Sequence, residues 1–486
     1  MTISVLGIIT ILVSIYAFFK NEKLLLYMVV FLSIFTAAEL GHIELTTTPI
    51  QTFEFTGAIW LLKKLINLIK SKPKITKKII IDKFKENRIA LAFIFFIIAV
   101  ILGEIALAVS GISIDYVDVF GEPRTVKFAL SNITQPIIII FMLTIMIALS
   151  FEVKTKEDVM TLINVFCFSA TFAVIWGLLQ FITYYFGIPY PDFLFNNNPY
   201  ALQGYHQINN NIKRISSVAL EPSMFSVALI AFLPFLIGTF LKTKINLKEK
   251  KHIILITILI LTTVCAILTT SSTTYIGLVC VFGLFLLYIL FWFNKSGELD
   301  NRKQNFIKIA IITVVSILIA GILCIGLVKI GYKLGNIKDI GQIETSEENK
   351  EIQIDEGNKN AFKNMFATLK EMTVDKLITG SAEERRTGEI VGLSMYKYSP
   401  VFGVGFGSYR TYNLFTTILV DAGIVGEISY LYILYVVIKE LIKARKKKET
   451  EIIIMLISFI GMTLCFLIRC CRLAHNLLLD FNGTGI

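Results

Sequence analysis

The chain has 486 residues, of which 55% are hydrophobic and only 17% are charged. Soluble globules carry about 25% charged residues, so the composition excludes a string of soluble domains, and equally a disordered chain or a disulfide scaffold. The net charge of +11 is not gathered in one soluble patch, which argues against nucleic acid as a partner, and what remains is a polytopic membrane protein.

A spanning helix needs roughly 20 mostly apolar residues. In chain order the sequence predicts about twelve, at 2–19, 24–38, 45–62, 89–110, 133–151, 159–187, 223–241, 252–270, 273–293, 309–331, 412–438 and 452–471. The first lacks a basic leader and a small-residue cleavage site, so it reads as a helix and not as a signal peptide. The second is short, and the third carries Glu54. Alternation then sorts the loops. Those at 20–23, 63–88, 152–158, 242–251, 294–308 and 439–451 hold 29 of the 47 Lys and Arg but 12 of the 36 Asp and Glu. Basic residues collect in cytoplasmic loops, so this set is cytoplasmic and both termini lie outside. All seven cysteines fall in apolar spans, which argues against a disulfide framework. No Cys/His spacing suits a metal, and no cofactor is expected.

The outside segments are 111–132, 188–221 and 332–411. The second ends in Arg214-Ile215-Ser216-Ser217 and Glu221-Pro222-Ser223. Proline suits the first turn of a helix, which puts Glu221 at the outer mouth of the next span, where helix-start amides attract anions. Arg214 and Glu221 then either approach one ligand or form a surface pair that anchors the helix.

In the third segment an acidic stretch, 344–356, precedes an amphipathic surface helix at 361–377 carrying Phe362, Phe366, Leu369 and Met372 at helical spacing. A second helix is predicted from 386 to 398, ending before Pro400. Arg386 opens it with Arg385 just before, and Gly403, Gly405, Gly407, Ser408 and Arg410 follow it. Alternate glycines let a backbone approach a ligand and offer amides to phosphate, and arginine grips phosphate bidentately. Without a preceding strand and a following helix, a dinucleotide-binding unit does not fit. A tight re-entry turn or an anchor to lipid headgroups stays open beside ligand binding. Asp421 lies roughly 14 Å into a helix that starts at residue 412; there substrate contact and helix packing beside Gly423 and Gly426 are both open. Glu104 and Glu427 read as structural pairs inside the membrane, and His206 as a loop residue that either contacts sugar or is merely exposed.

Together these segments resemble the O-antigen polymerase and ligase superfamily of bacterial surface-polysaccharide enzymes. The resemblance rests on Arg214 to Ser217 with Glu221-Pro222-Ser223, on Arg386 before Pro400, on Gly403-Val404-Gly405-Phe406-Gly407-Ser408, and on Tyr412-Asn413-Leu414 with Asp421-Ala422-Gly423-Ile424-Val425-Gly426. Tyr412 stands where the ligase branch often has His, which favours the polymerase branch, and Asp421 replaces a more usual Glu.

The resemblance implies an all-α bundle, like the membrane-embedded glycosyltransferases of the C type, in the cytoplasmic membrane with its active site outside. Residues 1–331 would form a membrane bundle, 332–411 a large extracytoplasmic loop, and 412–486 the last two spans and tail. It implies that a growing glycan on undecaprenyl diphosphate is transferred to a lipid-linked repeat unit, with inversion and without metal. Glu221, Arg214 and Arg386 would be catalytic. Arg385, Arg410, Gly403, Gly405, Gly407, Ser408, Tyr412, Asn413, Asp421 and His206 would bind substrate. A chain-length regulator and a flippase would be partners. A ligase-like transferase and a lipid-linked oligosaccharide flippase are the competing classes; a transporter would carry midplane charges and an internal repeat, and the sequence has few of the former and no obvious repeat.

Overall fold

The computed structural model describes residues 2–42, 49–71, 77–118, 121–198, 208–209, 212–242, 248–288, 302–334, 381–409, 411, 413–445 and 452–463. The predicted stretches 344–356 and 361–377 lie outside these residues. The helices in chain order are α1 (Val5–Lys20), α2 (Glu22–Leu32), α3 (Thr52–Lys70), α4 (Lys77–Glu86), α5 (Arg88–Ser110), α6 (Ser131–Glu152), α7 (Lys156–Phe186) and α8 (Asp192–Phe195). After them come α9 (Pro222–Lys242), α10 (Lys250–Leu268), α11 (Ser272–Leu287), α12 (Arg302–Lys333), α13 (Ser381–Tyr396), α14 (Leu414–Arg445) and α15 (Ile452–Thr463).

Among the described residues, six helices are long and apolar enough to cross a membrane: Arg88–Ser110, Ser131–Glu152, Lys156–Phe186, Pro222–Thr239, Lys250–Leu268 and Leu414–Ala444. Four shorter apolar helices fall on other predicted spans: Val5–Lys20, Ser272–Leu287, Thr313–Leu323 and Ile452–Thr463. This is a multi-pass membrane protein, mostly helical. Helix α1 shows the solvent it was built for: Gly7, Thr10, Ser14 and Ala17 face inward, while Ile8, Leu12, Ile15 and Phe19 are exposed. Small residues let helices approach closely, and lipid accepts the large apolar side chains.

The fold is not purely helical. Among the described residues, short strands form three small antiparallel sheets: Thr2–Ile3, Glu39–His42 and Pro49–Gln51 in one, Ile114–Val117 with Pro123–Val126 in the second, and Ile208–Asn209 with Ile212–Lys213 in the third. They lie where the chain leaves a helix and its backbone groups must find partners. The predicted span 24–38 also differs, because α2 stops at Leu32. Residues 33–38 leave the helix because a loop claims them: the Ala37 amide donates to the Val218 carbonyl (2.9 Å), and the Ala37 carbonyl accepts from Asn198 (3.1 Å). The predicted span 45–62 is displaced as well, since α3 runs from Thr52 into the basic stretch as far as Lys70.

The described chain forms two units, one of Met1–Trp60 with Leu162–Leu377, the other of Leu61–Thr161 with Ile378–Ile486. The first unit gathers aromatic rings from α2, α7 and α8. Phe172 stacks on Trp176 with centroids 5.9 Å apart, and Phe195 meets Trp176 edge-on at 4.7 Å.

The second unit is built on α5 packed along α14, through Phe96, Val100, Ile418, Ala422 and Ile433. The hairpin Ile114–Val117 and Pro123–Val126 adds Ile114 and Val126 to a cluster with Met395, Val404 and Val420. Helix α14 is broken at Gly423 (φ 64°, ψ −166°). The groups freed there are met by the chain at 400–405: Val404 and Gly405 donate to the carbonyls of Val420 and Asp421 (2.8 and 2.9 Å), and Ile424 and Val425 donate to those of Pro400 and Val401 (3.0 and 3.3 Å). Irregular backbone at membrane depth survives only when protein satisfies it in this way.

Candidate functional site

The first unit holds the Arg214–Glu221 segment. It is an irregular strip of backbone, and α7 reads it through one side chain. Gln180, fully buried, accepts from the amides of Ser216 (3.0 Å) and Ser217 (2.9 Å) through Oε1. The Ser217 hydroxyl donates to the Ala173 carbonyl (2.5 Å), and Asn196 Nδ2 donates to the Ser217 carbonyl (2.6 Å). These bonds hold Ser217 at φ 54°, a left-handed conformation that non-glycine residues adopt only when the surroundings over-determine it. Replacing Gln180 with Leu would strand two buried amides, each worth about 1–3 kcal/mol. A clear drop in the melting temperature of detergent-purified protein is the expected result.

Arg214 is half-buried, and its Nε donates to the Thr269 carbonyl (3.2 Å), just past the end of α10, where the helix dipole favours a cation. Glu221 immediately precedes α9, which starts at Pro222 as the sequence predicts. Its carbonyl accepts from Met224 and Phe225, and its exposed carboxylate accepts from the Ser223 hydroxyl (3.1 Å). Glu221 therefore stands at a helix start with an accessible acid. Lys213 is its opposite in exposure: 1% exposed, it sets its ammonium 5.3 Å from the centre of the Tyr184 ring, and burial pulls its pKa from 10.5 down to about 7.

The second unit brings together Arg385, Arg386, the glycine turn and Asp421. Arg385 is exposed and Arg386 half-buried, both in the first turns of α13. The Tyr409 hydroxyl donates to the Gly388 carbonyl (2.9 Å), tying the arginine-bearing turn of α13 to the end of the glycine turn. The glycines serve close packing. Gly403 (φ 76°) lies against the backbone of Asp421 and Ala422 with no room for a Cβ. A Cβ on Gly405 would meet Glu104 Oε2 at 2.8 Å, and one on Gly407 would meet the Ser131 carbonyl at 2.7 Å.

The expectation that these residues present amides to phosphate changes accordingly. The amides of Gly403 and Gly405 donate to the carbonyls of Ser399 and Asp421, and that of Phe406 to Glu104 Oε1 (2.5 Å). The Ser408 hydroxyl is also committed, donating to the Val404 carbonyl (2.5 Å) and accepting from Asn132 Nδ2 (2.7 Å). Asn413 caps α14, its Oδ1 accepting from the Phe415 amide (2.9 Å), while its buried Nδ2 has no hydrogen-bond partner among the described residues.

Asp421 is 2% exposed. It sits on the short helical stretch ahead of the Gly423 break, not deep in one continuous helix, and its Oδ1 has no hydrogen-bond partner among the described residues. Glu104 pairs one carboxylate oxygen, Oε1, with a backbone amide, while its Oε2 and the Oε2 of Glu427 are both buried with no hydrogen-bond partner among the described residues. His206, Arg410 and Tyr412 lie outside the described residues. Sequence reasoning missed Gln180 and Asn132; a lone amide side chain at or near the end of an apolar span was the available signal for each.

Residues 257–431 match the family model for O-antigen ligase. The match places this segment in the O-antigen ligase and polymerase superfamily, whose members are membrane enzymes that transfer glycans. The O-antigen ligase segment takes in Arg385, Arg386, the glycine turn, the Gly423 break and Asp421, and leaves Arg214 and Glu221 outside it. No curated protein and no solved structure matches the chain.

Proposed function

We propose that the protein is a polymerase of a bacterial surface polysaccharide, an O-antigen, capsule or exopolysaccharide. It would transfer a growing glycan from undecaprenyl diphosphate to a lipid-linked repeat unit at the outer face of the cytoplasmic membrane. The observation that carries this reading is the assembly, within the O-antigen ligase segment, of an arginine-bearing helix end on a glycine turn and a broken helix.

The acceptor hydroxyl oxygen attacks the anomeric carbon, the bond from that carbon to the diphosphate oxygen breaks, and the diphosphate leaves with the electron pair. Negative charge grows on the leaving group, where fixed guanidinium groups stabilise it. Arg386, with Arg385 and Arg410 near it in the sequence, and Arg214 are the residues for that task, and their charge makes a metal ion unnecessary to the reading. Glu221 takes the hydroxyl proton as general base. With one base and no covalent intermediate, the anomeric centre inverts.

Glu221→Gln keeps the shape and removes the base, so polymer formation by purified protein is expected to fall about a hundredfold with donor KM little changed. Unchanged turnover contradicts the role.

A ligase-like transferase is the second reading, favoured by the description of the matched family. Tyr412, at the position where the ligase branch often carries His, favours the polymerase. The choice of acceptor separates them: a polymerase extends the glycan on lipid diphosphate and builds a ladder, whereas a ligase moves it once to a different acceptor.

A further inference from the structure

Two side chains from different helices grip the two peptide groups that flank Phe406 in the glycine turn, one on its amide and one on its carbonyl. Glu104, on α5, accepts the Phe406 amide proton at 2.5 Å. Asn132, on α6, donates to the Phe406 carbonyl at 2.9 Å and to the Ser408 hydroxyl at 2.7 Å, while its own Oδ1 accepts from the Ala129 amide (3.0 Å). Gly405 lies between them, because any Cβ there would strike Glu104 Oε2 at 2.8 Å and sit 3.1 Å from Asn132 Nδ2. Three residues after Phe406, the Tyr409 hydroxyl donates to the Gly388 carbonyl on α13, two residues from Arg386. An ionisable side chain in an apolar span is costly, and apolar packing alone does not call for one. What Glu104 supplies is a fixed acceptor for one amide at the head of a chain of contacts that ends at the arginine turn.

We infer that Glu104, acting with Asn132, is a positioning residue for the glycan transfer, fixing through Phe406 and Tyr409 the turn of α13 that carries Arg386. The inference rests on the transfer reading and adds to it the parts that set the arginine's place. It makes no demand for a charge at position 104, only for an acceptor at the right reach.

The test uses the purified full chain, lipid-linked repeat units as donor and acceptor, and separate measurement of kcat, KM and melting temperature. Misplacing a catalytic group by about 1 Å costs on the order of a hundredfold in rate. Glu104→Leu and Asn132→Leu are each expected to lower kcat about 30-fold or more, with KM within about threefold. Glu104→Gln, whose amide oxygen still accepts, is expected to retain most of the activity. Because both side chains hold the backbone of one residue, Phe406, the double variant is expected to lose little more than either single one.

Should Glu104→Leu fail to fold, Glu104→Asp carries the test: one methylene short, it is expected to lose about tenfold in kcat, and full activity overturns the inference. Glu104→Gln as inactive as Glu104→Leu, or single losses that multiply, also overturn it. Full activity of Glu104→Leu beside an inactive Arg386→Ala sinks the positioning role alone. No product from the wild-type chain sinks the transfer reading and the positioning role together.

Discussion

Arg386→Ala is expected to lower transfer about a thousandfold, the scale on which loss of a preorganised donor to a developing anion is felt. The side chain is half-buried at the start of α13, so its guanidinium is held with less freedom than that of a surface arginine. The turn bearing it is tied to the glycine turn through Tyr409 and Gly388. Arg385, one residue earlier, is exposed and points another way around the helix, so Arg385→Ala is expected to cost far less. The same comparison resolves which of the two arginines fills the motif position. Steady-state kinetics of both variants in one detergent preparation read the difference directly. Equal, small losses in both would mean that the pair serves lipid headgroups and not the leaving group.

Gly403→Val is expected to leave no folded protein. At φ 76° a branched residue is strained, and its Cβ would occupy the place of the Asp421 and Ala422 backbone. A left-handed conformation alone costs about 1–3 kcal/mol in a non-glycine residue. The displaced contact matters more. If Val404 and Gly405 move away from the carbonyls of Val420 and Asp421, the break in α14 loses its partners inside an apolar bundle, where each unsatisfied group costs several kcal/mol. The loss therefore exceeds the stability of about 5–15 kcal/mol that a protein usually commands. Size-exclusion profiles and thermal melts check it: a monodisperse Gly403→Val protein with an unchanged melting temperature would show that the turn is loosely held.

Much of this architecture was readable along the chain, and the reason is physical. Apolar runs of the length a bilayer requires produce α5, α6, α7, α9, α10 and α14 close to their predicted places, and Pro222 and Pro400 mark a helix start and a helix end. The departures arise where partners lie far off in sequence. Residues 33–38 are apolar enough to continue α2, yet they pair with the loop near Val218. Gly423 reads as one small residue in a span, and only the chain at 400–405 shows why the helix opens there. Glu104 and Phe406 are separated by 302 positions, and no local pattern joins them. The glycine triplet signalled a close approach correctly, but what approaches at Gly403 and Gly405 is the protein's own backbone and side chains.

The most direct test of the account supplies purified wild-type protein in vesicles with lipid-linked repeat units, and counts both the glycosidic bonds formed and the lipid diphosphate released. The account predicts a ladder of lipid-linked products and one molecule of undecaprenyl diphosphate freed for every bond. Movement of the lipid-linked sugar between leaflets with no new bond and no free diphosphate would contradict it.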